Sequence, residues 1–162
     1  MSDEFDLSQT ALVFVAWARV WSPLVDDALR REAWEQLELP GDFDEANRDF
    51  MRAFHVAVPQ PAVPLLMHAA LQQDGGAVRE DVVRVMEFLD VEYQDQGRLP
   101  PDHLACLCEL FALAIDAGEP VLVQGLRERY LAPWAAMARQ VLADHPQLSG
   151  VIAQFAEDFA AA

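Results

Sequence analysis

The sequence predicts an all-α fold, a single globular helical domain covering residues 1–162, and three observations predict it. Apolar residues recur at steps of three and four along almost the whole chain. Prolines and glycines mostly fall between these stretches and punctuate them. No segment alternates apolar and polar residues in a way that a neighbour could pair with as a sheet. At 162 residues the chain suffices for one domain and is too short for two comfortable ones. A domain of this size buries roughly two-thirds of its unfolded surface, so it needs no metal or disulfide to fold.

Taken in order, Ser8 caps a first helix that runs to about Val20. Leu12, Ala16 and Val20 mark one side of it and Val13, Trp17 and Trp21 another, the pattern of a central, buried helix. Ser22 and Pro23 end it, and Val25, Ala28, Leu29 and Leu37 read as the apolar side of a second helix. After Pro40-Gly41, a third helix from about Asp44 carries Ala46, Phe50 and Phe54. Residues Val58 to Pro64 hold three prolines in seven positions and must be an extended loop. A short helix from Leu65 to about Gln73 is expected next, ended by Gly75-Gly76. Val78, Val82, Val85, Met86, Leu89 and Tyr93 form the clearest apolar stripe, with Glu80 and Arg84 spaced for an i,i+4 pair on its wet side. Gly97 to Pro101 reads as a turn into a helix with Leu104, Leu107, Phe111 and Ala114 inside. Gly118 stops that helix, and Pro120 suits the first turn of the next, which Pro133 breaks or kinks. A last helix shows Leu148, Val151, Ile152, Phe155 and Phe159, which makes about eight helices in all.

Composition excludes several functions. Eleven arginines and no lysine stand against 27 acidic residues, a net charge of −16. Such a surface repels a phosphate backbone and an anionic membrane alike, so no nucleic acid and no stable membrane insertion are expected, and cationic ligands are favoured. The two cysteines, Cys106 and Cys108, point about 200° apart on a helix and cannot bridge each other there. They read as free thiols of a reducing compartment. The apolar run from Ala11 to Ala18 is too short to span a bilayer and follows Asp3, Glu4 and Asp6 where a secretory signal needs basic residues. A soluble, cytoplasmic protein is the expectation.

Catalytic signatures are missing: no Gly-rich phosphate loop, no HExxH, no nucleophile elbow and no His-Cys metal spacing. No enzyme, resident cofactor or metal is therefore expected. His55, His68, His103 and His145 fall on four separate segments. One segment is unusual. Leu99-Pro100-Pro101-Asp102-His103-Leu104 sets a carboxylate and an imidazole at a helix start. Proline and Asp both suit that place, Asp through the helix dipole. The same dipole disfavours a protonated imidazole, so a His there calls for a specific partner or ligand.

The stretch PPDHLACLCELFALAI, followed by LRERYLAPW, resembles the signature of the TorD/DmsD/NarJ family of redox-enzyme maturation chaperones. Asp102 and His103 match its Asp-His opening, Glu109 falls where the helix commonly has an acidic residue, and Pro133-Trp134 match its Pro-Trp element. Upstream, DFMRAFHVAVPQPAVPLL resembles the family's Phe-containing helix end and proline-rich loop. The chain departs from many members in carrying Leu65, Leu66, Met67 and His68 where they have a Ser and an aromatic residue.

The resemblance implies a non-enzymatic, all-helical chaperone. Such a protein binds the N-terminal leader, often a twin-arginine signal, of the catalytic subunit of a molybdenum-cofactor, DMSO-reductase-type oxidoreductase. It holds that subunit in the cytoplasm until its cofactor is inserted, as a monomer or a domain-swapped dimer. A NarJ-like factor for a nitrate-reductase-type subunit that is not exported is the alternative, followed by a generic helical interaction module. Composition agrees with a leader receptor, which must offer carboxylates beside an apolar groove. On this reading Asp102, His103 and Trp134 belong to the peptide groove, with Tyr93 and Met67 as additions and Trp17, Trp21 and Trp34 as further candidates for its walls.

Overall fold

A computed structural model describes residues 7–93 and 98–162. Helices dominate them: α1 (Gln9–Trp21), α2 (Asp27–Gln36), α3 (Phe43–Phe54), the single turn α4 (Met67–Ala70), α5 (Gly75–Phe88), α6 (Leu104–Asp116), α7 (Pro120–Leu126), α8 (Ala132–Val141) and α9 (Pro146–Ala161). A π-helical turn, Arg127–Leu131, joins α7 to α8. Among the described residues the nearest thing to a sheet is one antiparallel bridge, Leu66 with His103. The fold is all-α, as the apolar spacing requires.

Local signals place most of the helix ends. The Ser8 hydroxyl accepts from the Ala11 N–H at 3.2 Å and starts α1. Gly118 adopts φ +66 just past α6, a conformation that costs glycine nothing, and Pro120 stands in the first turn of α7. The 58–64 segment carries no helix. Glu80 and Arg84 pair at 2.6 Å. The turn expected from Gly97 begins outside the described residues; its remainder, 98–101, is not helical.

Four expectations are corrected. The helix after the proline loop is only the one turn α4, and Gly75-Gly76 do not end it. They open α5, because the Asp74 carboxylate accepts from the Ala77 N–H at 2.8 Å and caps that start. At its other end α5 stops at Phe88, with Asp90 at φ 59, so Tyr93 lies beyond it. Helix α2 buries Arg30, Ala33 and Trp34 and leaves Ala28 and Leu29 exposed. Trp34 has more apolar area to hide, and the Arg30 guanidinium lies over the Phe43 and Phe50 rings at 5.2 and 5.1 Å. At Pro133 the chain stays helical. The ring removes an N–H and crowds the carbonyl four residues back; the wider π turn, in which Ala132 N–H reaches Arg127 O, takes up the mismatch.

The core forms where α1 packs along α6 and α8 along α9. Trp21 sits at its centre, stacked with Trp17 (centroids 5.8 Å apart) and edge-on to Phe54, Trp134 and Phe155 at 5.2 to 5.5 Å. Such geometries add to the area each ring buries. No helix among the described residues is long and apolar enough to cross a membrane.

Candidate functional site

The loop between α3 and α4 folds back against the start of α6. Leu104 N–H donates to Leu65 O at 2.8 Å and Met67 N–H to Asp102 O at 3.0 Å. Trp134 fixes the same loop from beneath, its indole N–H donating to Pro64 O at 2.9 Å. Residues far apart in sequence thereby come together: Met67 and His68 on α4, Asp102 and His103 at the head of α6, and Trp134 on α8.

Within this seam Asp102 does not cap its own helix. The cap of α6 is His103, whose Nδ1 accepts from Ala105 N–H at 3.1 Å. Asp102 is fully buried and serves α4 instead: its Oδ2 accepts from His68 N–H at 3.1 Å and meets His68 Nδ1 at 2.5 Å. Its other oxygen, Oδ1, has no partner among the described residues. The carboxylate thus ties two helix starts together, satisfying one of the N–H groups that the start of α4 leaves open.

His103 is buried to 6 % exposure, and burial pushes its imidazole down to about 4 against the pull of Asp102. The ring is neutral at pH 7. Since Nδ1 accepts a hydrogen bond, the proton sits on Nε2, leaving a donor there. His103 lines a cavity of about 400 Å³ with Phe54, His55, Val56, Pro61 and Leu66. His55 is likewise held near 4, by burial first and then by Arg30 and His103. The cavity therefore carries no charge of its own. Val56 (66 % exposed) and Val58 (99 %) stand out into water beside it, an arrangement that burial alone would not produce.

The expected groove residues divide on this geometry. His103 reaches the cavity. Asp102, Trp134 and Met67 are each at 0 % exposure and form the seam's underside, so in this conformation none of them faces the cavity. Trp17, Trp21 and Trp34 are core, each at 2 % exposure or less and packed against other rings. Tyr93 lies in a second cavity, its hydroxyl donating to Leu99 O at 3.3 Å. His55, Val56 and Leu66 were not singled out from sequence. The proline-dense loop that presents two of them was the available signal.

The chain matches the family model described as nitrate reductase delta subunit over residues 18–149, most of its length, including the seam and its cavity. It belongs to that family. Its members are redox-enzyme maturation chaperones of the NarJ/TorD type and work with molybdoenzyme catalytic subunits. No curated protein and no solved structure gives a significant match to the chain.

Proposed function

We propose that this family member is a cytoplasmic chaperone that binds the N-terminal leader of a molybdenum-cofactor catalytic subunit and holds the subunit until its cofactor is in place. One observation carries the reading. An uncharged apolar cavity is lined by the exposed Val56 and by the buried, neutral His103, whose Nε2 carries the ring's proton. An apolar peptide segment fills such a cavity, and a backbone carbonyl of that peptide accepts from Nε2. Asp102 acts through position: paired with His68, it keeps the loop and the head of α6 at the spacing the cavity needs. The family's description favours a nitrate-reductase-type client, whose leader stays in the cytoplasm, over an exported one.

The test uses the leader of the molybdoenzyme subunit encoded nearest to this chain's gene. His103→Phe keeps the ring's bulk and removes the Nε2 donor, together with the Nδ1 acceptor that caps α6, so urea unfolding is measured beside affinity. Leader affinity falls about tenfold, the loss expected for one buried hydrogen bond. A surface control, Glu80→Ala with Arg84→Ala, leaves affinity unchanged, since both side chains are more than 60 % exposed. Unchanged affinity in His103→Phe, with the fold intact by circular dichroism, rejects His103 as a contact.

A further inference from the structure

We propose that Arg30 anchors a binding site for a small aliphatic carboxylate, whose charged end meets the free edge of the guanidinium and whose tail fills the apolar cavity beside His103. Such a site does not depend on a leader peptide using that cavity. The Arg30 side chain, on α2, is only 4 % exposed and is already held from several directions. The Phe43 and Phe50 rings lie 5.2 and 5.1 Å from its Cζ. Its Nη1 donates to Asn47 Oδ1 at 2.9 Å and to Asp27 Oδ1 at 3.3 Å. The remaining edge is different. Nε and Nη2 are both buried and have no partner among the described residues.

Those two N–H groups lie side by side on the planar fork, the arrangement that meets both oxygens of one carboxylate. A guanidinium stays charged when buried, so leaving that edge empty is costly. Asp27, its only ion-pair partner among the described residues, is 67 % exposed and reaches Nη1 alone. Close by, His55 Nε2 is a third buried nitrogen without a partner, and the His55 ring packs on the same Phe50 at 5.9 Å. A neutral imidazole can carry its proton on that atom and donate it.

Met51 connects this edge to open space. It belongs to the wall of the cavity of about 400 Å³, and its Sδ stands 3.8 Å from Arg30 Nη1. Arg30 itself is not in that wall. A methionine side chain turns readily about its unbranched bonds, and when Met51 swings aside the cavity extends to the guanidinium. The combined space has a cation at its inner end and Phe54, Val56, Pro61 and Leu66 around the rest. A chloride or phosphate ion would leave those apolar walls unused, and a hydrocarbon would leave the fork empty. A carboxylate on a short apolar tail uses both.

The experiment titrates the full chain at pH 7 with hexanoate and with hexanol, followed by NMR. A purely apolar cavity prefers the alcohol, because a carboxylate costs far more to take out of water. Wild-type protein binds hexanoate about tenfold more tightly than hexanol, the gain expected from a charge-assisted bidentate contact. Arg30→Met keeps the apolar stem, erases the preference and leaves hexanol affinity unchanged. Met51→Ala, which removes the side chain between the cavity and the fork, raises hexanoate affinity several-fold more than hexanol affinity; it decides the matter if Arg30→Met fails to fold by circular dichroism. Equal or weaker binding of hexanoate to wild type overturns the site. So does a hexanoate preference that survives Arg30→Met, or a Met51→Ala gain that the two ligands share equally.

Discussion

The aromatic hub around Trp21 is closed to water, whereas the seam between the 55–66 loop and the head of α6 buries only its underside, and the two are built differently. In the hub, Trp17, Trp21, Trp134 and Phe155 meet face and edge, and the energy comes from area and ring geometry. In the seam, Asp102 bonds to His68 and His103 to the Ala105 N–H, while Asp102 Oδ1 and His55 Nε2 are left without partners among the described residues; in the hub Trp21 Nε1 is likewise unpartnered. Unmatched buried polar atoms cost stability. Both regions carry that cost; in the seam it falls next to an apolar cavity, in the hub inside the aromatic core. Trp134 belongs to both regions, since its ring packs on Trp21 while its N–H holds Pro64.

That difference can be broken from the hub side first. Phe155→Ala removes a ring that touches Trp17, Trp21, Trp134 and Phe159, and should cost about 3–5 kcal/mol in urea unfolding. A cost below about 1 kcal/mol would mean that the hub is loosely packed. At the seam, Asp102→Ala strands the His68 N–H and opens the tie between α4 and α6. We expect a loss of about 2–3 kcal/mol, with most helicity retained. If Asp102→Ala were neutral, the carboxylate would not be what positions the loop.

The smallest effect is the most selective. His55 and His103 have folded values near 4 against 6.5 when unfolded, so the fold favours the neutral rings. Their contribution is complete above about pH 6.5 and is lost as pH falls towards 4. By about pH 5 the linkage amounts to on the order of 2 kcal/mol per imidazole. Urea midpoints measured between neutral and mildly acid pH should show this fall, and it should be halved in His55→Phe. A pH profile identical in His55→Phe and wild type would show that His55 is not buried as a neutral ring.

What could be read from the chain alone follows the range of the interactions. Ser8 caps a helix three residues away, Phe50 and Phe54 repeat at one turn, and three prolines forbid a helix at 58–64; each is a local fact, and each was legible. Gly75-Gly76 was ambiguous because glycine fits both ends of a helix, and the carboxylate of Asp74 decides which. Arg30 reads as a solvent-facing charge until Phe43 and Phe50 arrive from α3 to cover it. Asp102 stood out as unusual, but its partner His68 lies 34 residues upstream and no local pattern points to it. The same limit hid the cavity: its walls come from α3, the loop and α6, and no window on the sequence contains all three.

The π turn at Arg127–Leu131 carries a further consequence. One extra residue in a helix advances every following side chain by about 100° relative to an unbroken α-helix. Here that phase shift coincides with two successive side chains, Arg129 and Tyr130, converging on the single carboxylate of Asp81. It also decides where α8 aims Trp134. A chain one residue shorter at this point would still be helical and amphipathic, yet its indole would be rotated away from both Trp21 and Pro64. The proline loop would lose its anchor without any change to the loop's own residues, so the setting of the cavity is governed partly by a residue count on a helix that never touches its contents.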